Sequence, residues 1–338
     1  MLPTRPLGRT RIPVSCLGFG GAPIGDLYAR LPEDTAVATV ETAHAAGMNL
    51  FDTSPHYGNG LSELRFGSAL RRLPRASYVL STKVGRHMNP WAAGGTAGGP
   101  GFAGGIPHAS VLDYSYDGTM RSLEQSLLRL GLDRIDIVLI HDVDVWTHGP
   151  EGVETRFREA MEGAYRALDR LRQEGIIRAI GVGLNESEMC VRFAEAGDFD
   201  CALLAGRYSL LQQDALDRFL PLAARKGMGV ILGGVFNSGI LATGARPDAR
   251  FNYAPAPPEI MERVAQIERV CAAHGVPLAV AALQFALAGP AVASVILGGV
   301  TPEEVERNAA ALLHPVPQGL WSDLKSEGFL TSTVPTPI

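Results

Sequence analysis

The sequence predicts an α/β fold, a closed (β/α)8 barrel of the TIM type, formed as one domain by residues 1–338. Short apolar runs alternate with helical patterns along nearly the whole chain, which is typical of parallel α/β proteins. Eight of these runs are each followed by a helical pattern, and eight strand–helix units close a barrel. The length of 338 residues suits one barrel with long loops. Residues from 328 to 338 are expected to form an extended tail.

A doubly wound sheet is the alternative fold. It would carry a Gly-x-Gly-x-x-Gly fingerprint that opens a helix directly after the first strand. The corresponding stretch reads GFGGAP at residues 18–23, with Pro23 at the point where that helix would open. This difference favours the barrel.

The predicted elements follow one another in a regular order. Strands are predicted at residues 16–20, 49–52, 78–82, 135–140, 179–183, 201–205, 229–232 and 294–297. Helices are predicted at residues 33–46, 61–70, 118–130, 157–174, 188–196, 215–226, 259–288 and 302–313, the seventh being divided at 275–277. Before the first strand, residues 5–14 are expected to form a β-hairpin that closes the bottom of the barrel.

Two long insertions follow predicted strand ends, at residues 85–117 and 235–258. Loops in that position lie at the C-terminal face of a barrel, where functional loops are found. The first insertion contains aromatic residues among many glycines, including Trp91, Phe102 and Tyr114. Its segment 92–105 fits a mobile linker equally well.

Composition and charge limit the classes of partner. The net charge is −5 and the basic residues are scattered, whereas a nucleic-acid surface would need a basic stripe. The cysteines form no Cys-x-x-Cys pair, so neither a metal site nor a redox pair is predicted; they are Cys16, Cys190, Cys201 and Cys271. Buried thiols in a reducing compartment are the favoured interpretation.

Residues 276–300 carry no charge and are long enough to suggest a membrane span. Gly289 and Pro290 would break a helix in the middle of this stretch. We therefore predict a buried helix followed by a buried strand, and no membrane association. The N-terminus lacks the apolar core of a secretion signal, so a cytoplasmic location is expected. No pattern indicates the oligomeric state.

Four ionisable residues mark the ends of three consecutive strands: Asp52, Tyr57, Lys83 and His141. In a parallel barrel these ends meet at one mouth. Partly buried Asp52 and Lys83 are costly unless they pair, and pairing would bring an ammonium beside Tyr57. A nearby ammonium lowers the pKa of a phenol, so Tyr57 could exchange a proton with a substrate oxygen near neutral pH. The alternative is an ion pair that only stabilises the barrel.

The same residues lie in longer motifs that resemble the aldo-keto reductase superfamily. These motifs are FDTSPHYG at 51–58, STK at 81–83, SLEQSLLRLGLDRID at 122–136 before His141-Asp142, and IGVG at 180–183. The resemblance covers nearly the whole chain. It implies a nicotinamide dinucleotide bound in extended form across the barrel mouth. It also implies a catalytic tetrad with Tyr57 as proton donor or acceptor, formed by Asp52, Tyr57, Lys83 and His141.

Three further motifs are similar to the aldose 1-dehydrogenase branch, which includes L-fucose, D-threo-aldose and L-galactose dehydrogenases; pyridoxal 4-dehydrogenase is also similar. They are DYSYDG at 113–118, GRYSLL at 206–211 and FNSGIL at 236–241. This resemblance implies oxidation of the anomeric hydroxyl of a sugar to a lactone, with Tyr57 as base. The alternatives are a pyridoxal dehydrogenase, a general carbonyl reductase, or a cofactor-sensing binding subunit. Candidate substrate contacts are His56, Trp91, Asp142 and Arg207.

The start of the last predicted helix suggests a phosphate site. Thr301 and Glu304 form a capping box, and Gly298-Gly299 precede it after the eighth strand. Barrels commonly bind phosphate there, at a helix N-terminus that attracts anions. The resemblance places the adenosine half of the cofactor on this segment. The residues expected to bind the cofactor are Gly20, Gly21, Asn185, Tyr208, Gly234, Phe236, Asn237, Gly239, Leu241, Gly298, Gly299, Thr301, Glu304 and Asn308.

The sequence departs from the superfamily in ways that bear on the cofactor. NADP-preferring members carry an arginine in the first turn of the last helix, where this chain has Glu304. A carboxylate would repel a 2′-phosphate, so NAD is the preferred cofactor, while NADP stays possible because Arg307 could reach a phosphate. Asn185 is the candidate partner for the carboxamide. Tyr208 or Phe236 is the candidate for stacking on the nicotinamide ring.

Overall fold

The protein forms a closed barrel of eight parallel strands in a computed structural model that describes residues 2–92 and 101–337. The strands are β1 Leu17–Gly20, β2 Leu50–Asp52, β3 Val79–Val84, β4 Ile137–His141, β5 Ala179–Leu184, β6 Cys201–Ala205, β7 Gly229–Gly233 and β8 Val292–Leu297. Each strand pairs in parallel with the next in chain order, and β8 pairs with β1, so that the sheet closes on itself. The predicted (β/α)8 fold is confirmed.

Helices cover the outside of the barrel. They are α1 Glu33–Ala45, α2 Leu61–Leu70, α3 Tyr116–Leu130, α4 Val145–Glu159, α5 Tyr165–Gln173, α6 Ser187–Ala196, α7 Phe219–Lys226, α8 Ile240–Thr243, α9 Pro258–Ala273, α10 Leu278–Leu287, α11 Pro302–Leu313 and α12 Gln318–Ser326. A π-turn at Ala160–Ala164 joins α4 to α5. The segment predicted to be helical from residue 157 begins earlier. A short helical turn follows the N-cap Asp144, the backbone is non-helical at Gly149 (φ 68°, ψ 166°), and the helix continues from Pro150. Proline is well tolerated in the first turn of a helix, but residues 149 and 150 did not indicate a helix in the sequence.

The lower end of the barrel is closed by the predicted hairpin. Strands Thr4–Pro6 and Pro13–Ser15 pair in antiparallel fashion, and Leu7 and Ile12 between them are buried. These two side chains belong to the apolar cluster inside the barrel, which includes Leu50, Ile137 and Ile231. A second, larger cluster fills the space between the strands and the surrounding helices. The lower end of the barrel is therefore covered, and an open site can only lie at the opposite face.

The two long insertions lie at that opposite face. In the first, strands Arg86–Asn89 and Ala109–Leu112 pair in antiparallel fashion. Of the segment 92–105, for which a linker was the alternative, residues 93–100 lie outside the described residues. The second insertion contains α8 and a short hairpin formed by Arg250–Phe251 and Ala254–Pro255.

The apolar segment 276–300 forms α10 and β8, as predicted, and both are largely buried. Within residues 2–92 and 101–337, no single helix is long and apolar enough to cross a membrane. Helices α9 and α10 taken together are long and apolar enough, but the angle between them is 94°. After α12, residues 328–337 contain neither helix nor strand, and Leu330 and Val334 of this tail are buried.

Candidate active site

The ends of β2 and β3 bring an aspartate, a lysine and a tyrosine into one hydrogen-bonded group. The Lys83 Nζ lies 2.6 Å from the Asp52 Oδ2, 2.8 Å from the backbone oxygen of Thr53 and 3.1 Å from the Tyr57 hydroxyl oxygen. Lys83 and Asp52 are each about 1% exposed. An ammonium has three donors, and here each donor has an acceptor. The pairing that the sequence predicted for a buried lysine is present.

Burial and charge act against each other in this group. Burial alone would lower the pKa of the Lys83 ammonium, but the Asp52 carboxylate and the Tyr57 phenol raise it above its ordinary value. Lys83 therefore stays charged. Burial raises the pKa of the Tyr57 phenol above its ordinary value, although Lys83 opposes this. The expectation that the ammonium would bring the pKa of Tyr57 down towards neutrality is thus wrong for the protein alone, because burial has the larger effect.

His141, the last residue of β4, lies beside the tyrosine. The two ring centroids are 6.1 Å apart in an edge-to-face arrangement. The His141 Nδ1 is 3.2 Å from the Ser54 Oγ. Burial lowers the pKa of His141 well below its ordinary value, and the nearby cations Lys83 and Arg86 act in the same direction against Asp142. His141 is therefore neutral and can donate one N–H to an oxygen atom.

A cleft of about 330 Å³ opens next to this group. Asp52 and Tyr57 form part of its wall. The cleft is also lined by nine of the residues that were predicted to bind cofactor or substrate: Gly20, Gly21, Asn185, Arg207, Gly234, Phe236, Asn237, Gly239 and Gly298. They come from the ends of five strands and the loops after them, which explains why they meet although they are far apart in the chain.

The walls of the cleft can accommodate a planar, nicotinamide-like group. At Gly20 a Cβ would meet no heavy atom closer than 3.6 Å, and at Gly233 none closer than 3.4 Å. The protein itself therefore leaves space at these positions, and the missing side chains keep that space open for a ligand. The Phe236 ring lies on the same wall and remains a candidate for stacking. The residues present fit the dinucleotide that the resemblance implies.

Some predicted site residues do not line the cleft. Tyr208 is about 1% exposed, and its ring stacks on Phe285 with centroids 5.2 Å apart, so it cannot stack on a nicotinamide ring. The Leu241 side chain is fully buried in the core. Trp91 is 91% exposed and lies outside the described cleft. In each case the motif identified the segment, but the direction of the side chain depends on packing.

Of the segment predicted to hold the adenosine half, Gly298 lines the cleft, whereas Gly299, Thr301, Glu304 and Asn308 lie before or within α11, beyond the described lining of the cleft. The Glu304 backbone N–H donates to the Thr301 Oγ1 at 3.4 Å, and the Val300 N–H donates to the Glu304 Oε2 at 2.8 Å. The first hydrogen bond of the capping box is therefore present. In the second, Glu304 accepts from the N–H of Val300 and not from that of the N-cap residue Thr301, as it would in a standard capping box. The Asn308 side chain donates to the Gly298 backbone oxygen at 3.5 Å. Gly299 lies beside Glu304.

Several cleft residues were not predicted. Trp146 and Tyr253 come from two loops far apart in sequence, and their rings lie edge to face with centroids 6.3 Å apart. Tyr28 lines the same cleft. The signal for Tyr253 was its place in the insertion 235–258. Trp146 follows the fourth strand and lies in the short turn before the kink at Gly149, and no motif in the sequence singled it out.

The predicted substrate residues His56 and Asp142 lie around His141. The ring centroids of His56 and His141 are 6.1 Å apart, and those of His56 and Phe102 are 5.7 Å apart. Asp142 forms an ion pair with Arg86, a residue that the sequence did not point out. Within the described ranges, no cluster of histidine, cysteine, aspartate or glutamate could hold a metal ion.

The barrel, the lysine–tyrosine pair and the glycine-walled cleft together define an oxidoreductase that uses a nicotinamide cofactor. The chain belongs to the aldo/keto reductase family, whose sequence model matches residues 16–326. It is 41% identical to the pyridoxal 4-dehydrogenase of Microbacterium luteolum over 335 residues, which cover 97% of this chain and 98% of that protein. It is 37% identical to a D-threo-aldose 1-dehydrogenase of a Pseudomonas species over 328 residues, 96% of each chain.

A solved structure shares the fold. The aldo-keto reductase AKR11C1 from Bacillus halodurans (holo form) superposes with a TM-score of 0.76 at 23% identity, covering 99% of this chain and 98% of that chain. The predicted membership of the superfamily and the predicted similarity to aldose and pyridoxal dehydrogenases are confirmed. The protein is an oxidoreductase.

Proposed function

We propose that this protein is an NAD-preferring dehydrogenase that oxidises the C1 hydroxyl of an aldose to a lactone, with Tyr57 as the acid–base residue. The observation that carries the proposal is the contact between the Lys83 ammonium and the Tyr57 hydroxyl at the wall of the cleft. In its phenolate form Tyr57 can take a proton from a substrate hydroxyl at that place, and the ammonium stabilises this form. The similarity to a D-threo-aldose 1-dehydrogenase supports the substrate class.

The roles of the other three residues follow from their contacts. Lys83 holds the Tyr57 oxygen in place and offsets its negative charge. Asp52 keeps Lys83 charged and fixed at 2.6 Å. Neutral His141 donates an N–H to the same substrate oxygen, which aligns the C1–O bond.

The oxidation removes one proton and one hydride from the sugar. The proton passes from the C1 hydroxyl to the Tyr57 oxygen, and the C1–H bond breaks as the C=O bond forms. The hydride acceptor would be supplied by a nicotinamide dinucleotide held by the cleft residues. The product of a cyclic sugar is then a lactone, because the ring oxygen is already attached to C1.

The preference for NAD rests on Glu304. Its carboxylate is held at the N-terminus of α11 by the hydrogen bond from the Val300 N–H. A fixed negative charge at the adenosine end repels the 2′-phosphate of NADP, while a ribose hydroxyl can donate to it. Arg307 lies 4.0 Å from Glu304 and is largely exposed, so it offers little compensation.

A second candidate substrate is pyridoxal. The Phe102 ring stacks on the Tyr57 ring with centroids 6.2 Å apart, and His56 packs on Phe102 edge to face. An aromatic ring beside the acid–base residue is a surface on which a flat aromatic substrate could pack. The similarity to a pyridoxal 4-dehydrogenase supports this alternative.

A spectrophotometric screen tests the proposal. Purified protein is mixed with NAD or NADP and with L-fucose, L-galactose, D-arabinose or pyridoxal, and the formation of reduced cofactor is followed. Reduction of NAD with a sugar supports the proposal. Reduction with pyridoxal and not with sugars would select the second candidate. Absence of turnover with every substrate, together with tight binding of the dinucleotide, would favour a binding subunit.

A further inference from the structure

A buried ion pair lies next to His141. The Arg86 Nη1 is 2.7 Å from the Asp142 Oδ2, and the other oxygen of Asp142, Oδ1, is 3.3 Å from the His141 Nε2. The side chains of Arg86 and Asp142 are 9% and 11% exposed. Arg86 comes from the strand after β3 and Asp142 directly follows β4, so the pair bridges two loops at the barrel mouth.

The contacts of the two ring nitrogens of His141 indicate the same tautomer of the neutral imidazole. The contact between the His141 Nε2 and the Asp142 Oδ1 has the distance of an ion pair but not the geometry of a hydrogen bond, and the negative charge of the carboxylate favours hydrogen, not a lone pair, on the facing nitrogen. In a neutral ring Nδ1 is then an acceptor. Its neighbour, the Ser54 Oγ at 3.2 Å, already accepts the His56 backbone N–H and has its own proton to donate. Ser54 and Asp142 thus favour the same tautomer, with hydrogen on Nε2.

The arginine balances the charge of the carboxylate. An uncompensated carboxylate beside a histidine favours the protonated imidazolium. Burial would raise the pKa of Asp142, but the Arg86 guanidinium 2.7 Å away lowers it below its ordinary value, so the carboxylate is ionised. The charged and titratable groups that face His141 are Asp142, Lys83, Arg86, His56 and Tyr57.

The backbone holds Asp142 in this place. Its φ is +54°, in the left-handed region that non-glycine residues seldom adopt. Its N–H donates to the Gly183 backbone oxygen at 3.0 Å. The Tyr114 hydroxyl donates to the backbone oxygen of His141 at 2.8 Å. Aspartate adopts this conformation more readily than most residues, and these hydrogen bonds fix the backbone that carries the Asp142 side chain.

We propose that Arg86 and Asp142 are positioning residues that keep His141 neutral, with its proton on Nε2. Among the contacts described, that N–H is not hydrogen-bonded to Asp142, so it is available to the substrate oxygen. Asp142 selects the tautomer, and Arg86 prevents Asp142 from drawing a second proton onto the ring. The inference rests on the proposed function in one respect, namely that His141 holds the substrate oxygen.

Nuclear magnetic resonance on the full chain, without cofactor, reads the tautomer directly. The protein has eight histidines, and the His141 signals are those missing from the spectrum of His141→Gln. We expect one protonated and one unprotonated nitrogen, with the proton on Nε2. In Asp142→Asn, Arg86 should still bind the side-chain oxygen, which turns the NH2 group towards Nε2 and moves the proton to Nδ1. An unchanged Nε2–H tautomer in that variant would overturn the role of Asp142.

The role of Arg86 is tested by the pH dependence of the same signals. In Arg86→Met, the pKa of His141 should rise by about one pH unit or more, since a carboxylate now acts alone. The double variant Arg86→Met/Asp142→Asn should lose that rise, because neither charge remains. Arg86→Lys should keep the wild-type titration. A titration that is the same in Arg86→Met as in the wild type would overturn the role of Arg86.

A second buried arginine–aspartate pair gives a matched control. Arg75 lies 2.6 Å from Asp136 at the lower end of the barrel, with side chains 14% and 3% exposed. Arg75→Met should leave the His141 signals and the pH profile unchanged, although it removes a comparable ion pair. If it shifts them equally, the effect of Arg86→Met is one of general stability and the proposal is overturned.

Steady-state kinetics with an active substrate give a second test of the role of Asp142. Asp142→Asn should lower kcat by about a hundredfold through the misplaced N–H, with little change in dinucleotide affinity. The spectra need no substrate, so a failed substrate screen leaves this inference testable. Conversely, an unchanged tautomer together with loss of turnover in Tyr57→Phe would refute the inference and leave the proposed function standing.

Discussion

The Lys83 ammonium nitrogen lies 3.1 Å from the Tyr57 hydroxyl oxygen, and a second of its protons is held by Asp52 at 2.6 Å. The same ammonium lies 4.6 Å from the centre of the Tyr57 ring. Lys83 therefore fixes the position of the Tyr57 phenol and supplies the positive charge beside it. The proton transfer, its pH dependence and part of the stability of the barrel all depend on this contact.

Removing the Tyr57 hydroxyl should remove the acid–base step. We expect Tyr57→Phe to lower turnover by about 10²- to 10⁴-fold, the usual contribution of a positioned acid or base. The dissociation constant of the dinucleotide, measured by fluorescence titration, should stay the same. Tyr116→Phe is the matched control, because its hydroxyl accepts only an exposed hydrogen bond from Arg170 among the contacts described. Substantial oxidation by Tyr57→Phe would show that another group is the base.

Oxidation should become faster as the pH rises. The base must be the phenolate, and burial raises the pKa of Tyr57 above its ordinary value. Below that pKa the phenolate fraction increases tenfold with each pH unit, so kcat/KM for oxidation should rise with a slope of about one. Carbonyl reduction, which needs the neutral phenol, should stay constant over the same range and fall only above that pKa. A flat oxidation profile from neutral to alkaline pH would contradict this assignment.

Breaking the buried ion pair should destabilise the barrel. Lys83→Met leaves the Asp52 carboxylate without its cation, and the free energy of unfolding should fall by about 3–5 kcal/mol. Urea unfolding measures this loss. Lys83→Met/Asp52→Asn should be less destabilised than the sum of the single variants, because no charge is left unpaired.

An exposed ion pair is the control for that experiment. Arg72 and Glu41 lie 3.3 Å apart with side chains 64% and 42% exposed. Arg72→Met should change the free energy of unfolding by only about 0–1 kcal/mol, because water screens this pair. A loss in Lys83→Met no larger than this would mean that the buried contact contributes little to stability.

The charge of Glu304 should decide between NAD and NADP. Glu304→Gln keeps the shape of the side chain and an acceptor for the Val300 N–H, but it removes the repulsion of a 2′-phosphate. We expect the ratio of the NADP to the NAD dissociation constants to fall by about fivefold or more, or about 1 kcal/mol. Glu303→Gln removes the same charge one residue away. Equal effects of both substitutions would show that overall charge, and not the position of Glu304, sets the preference.

The sequence predicted most of the barrel because each strand and each helix has a local pattern. Asp52, Lys83 and His141 could be located because they end or follow buried apolar strands, whose C-terminal ends must meet in a parallel barrel. The boundaries failed where local rules were broken. Helix α4 is kinked at Gly149, with one short turn from Val145 before the kink and the longer part from Pro150 after it.

Side-chain direction in the loops could not be predicted in the same way. Tyr208 and Phe236 were equal candidates for stacking on the nicotinamide, yet Tyr208 stacks on Phe285 in the core while Phe236 lines the cleft. Trp146 and Tyr253 meet from loops more than a hundred positions apart. No local pattern records such a contact, because it depends on how two loops fold over the same barrel mouth.

The amino-acid sequence by itself determined the barrel, the four ionisable residues at its mouth and the capped helix where the dinucleotide is expected to end. These features follow from apolar periodicity and from residue types at strand ends. The tertiary structure alone decided the direction of the pKa shift of Tyr57, since the effect of burial exceeds that of Lys83. It also decided the pairing of Arg86 with Asp142, because an electrostatic balance depends on distances and burial that exist only in the folded chain.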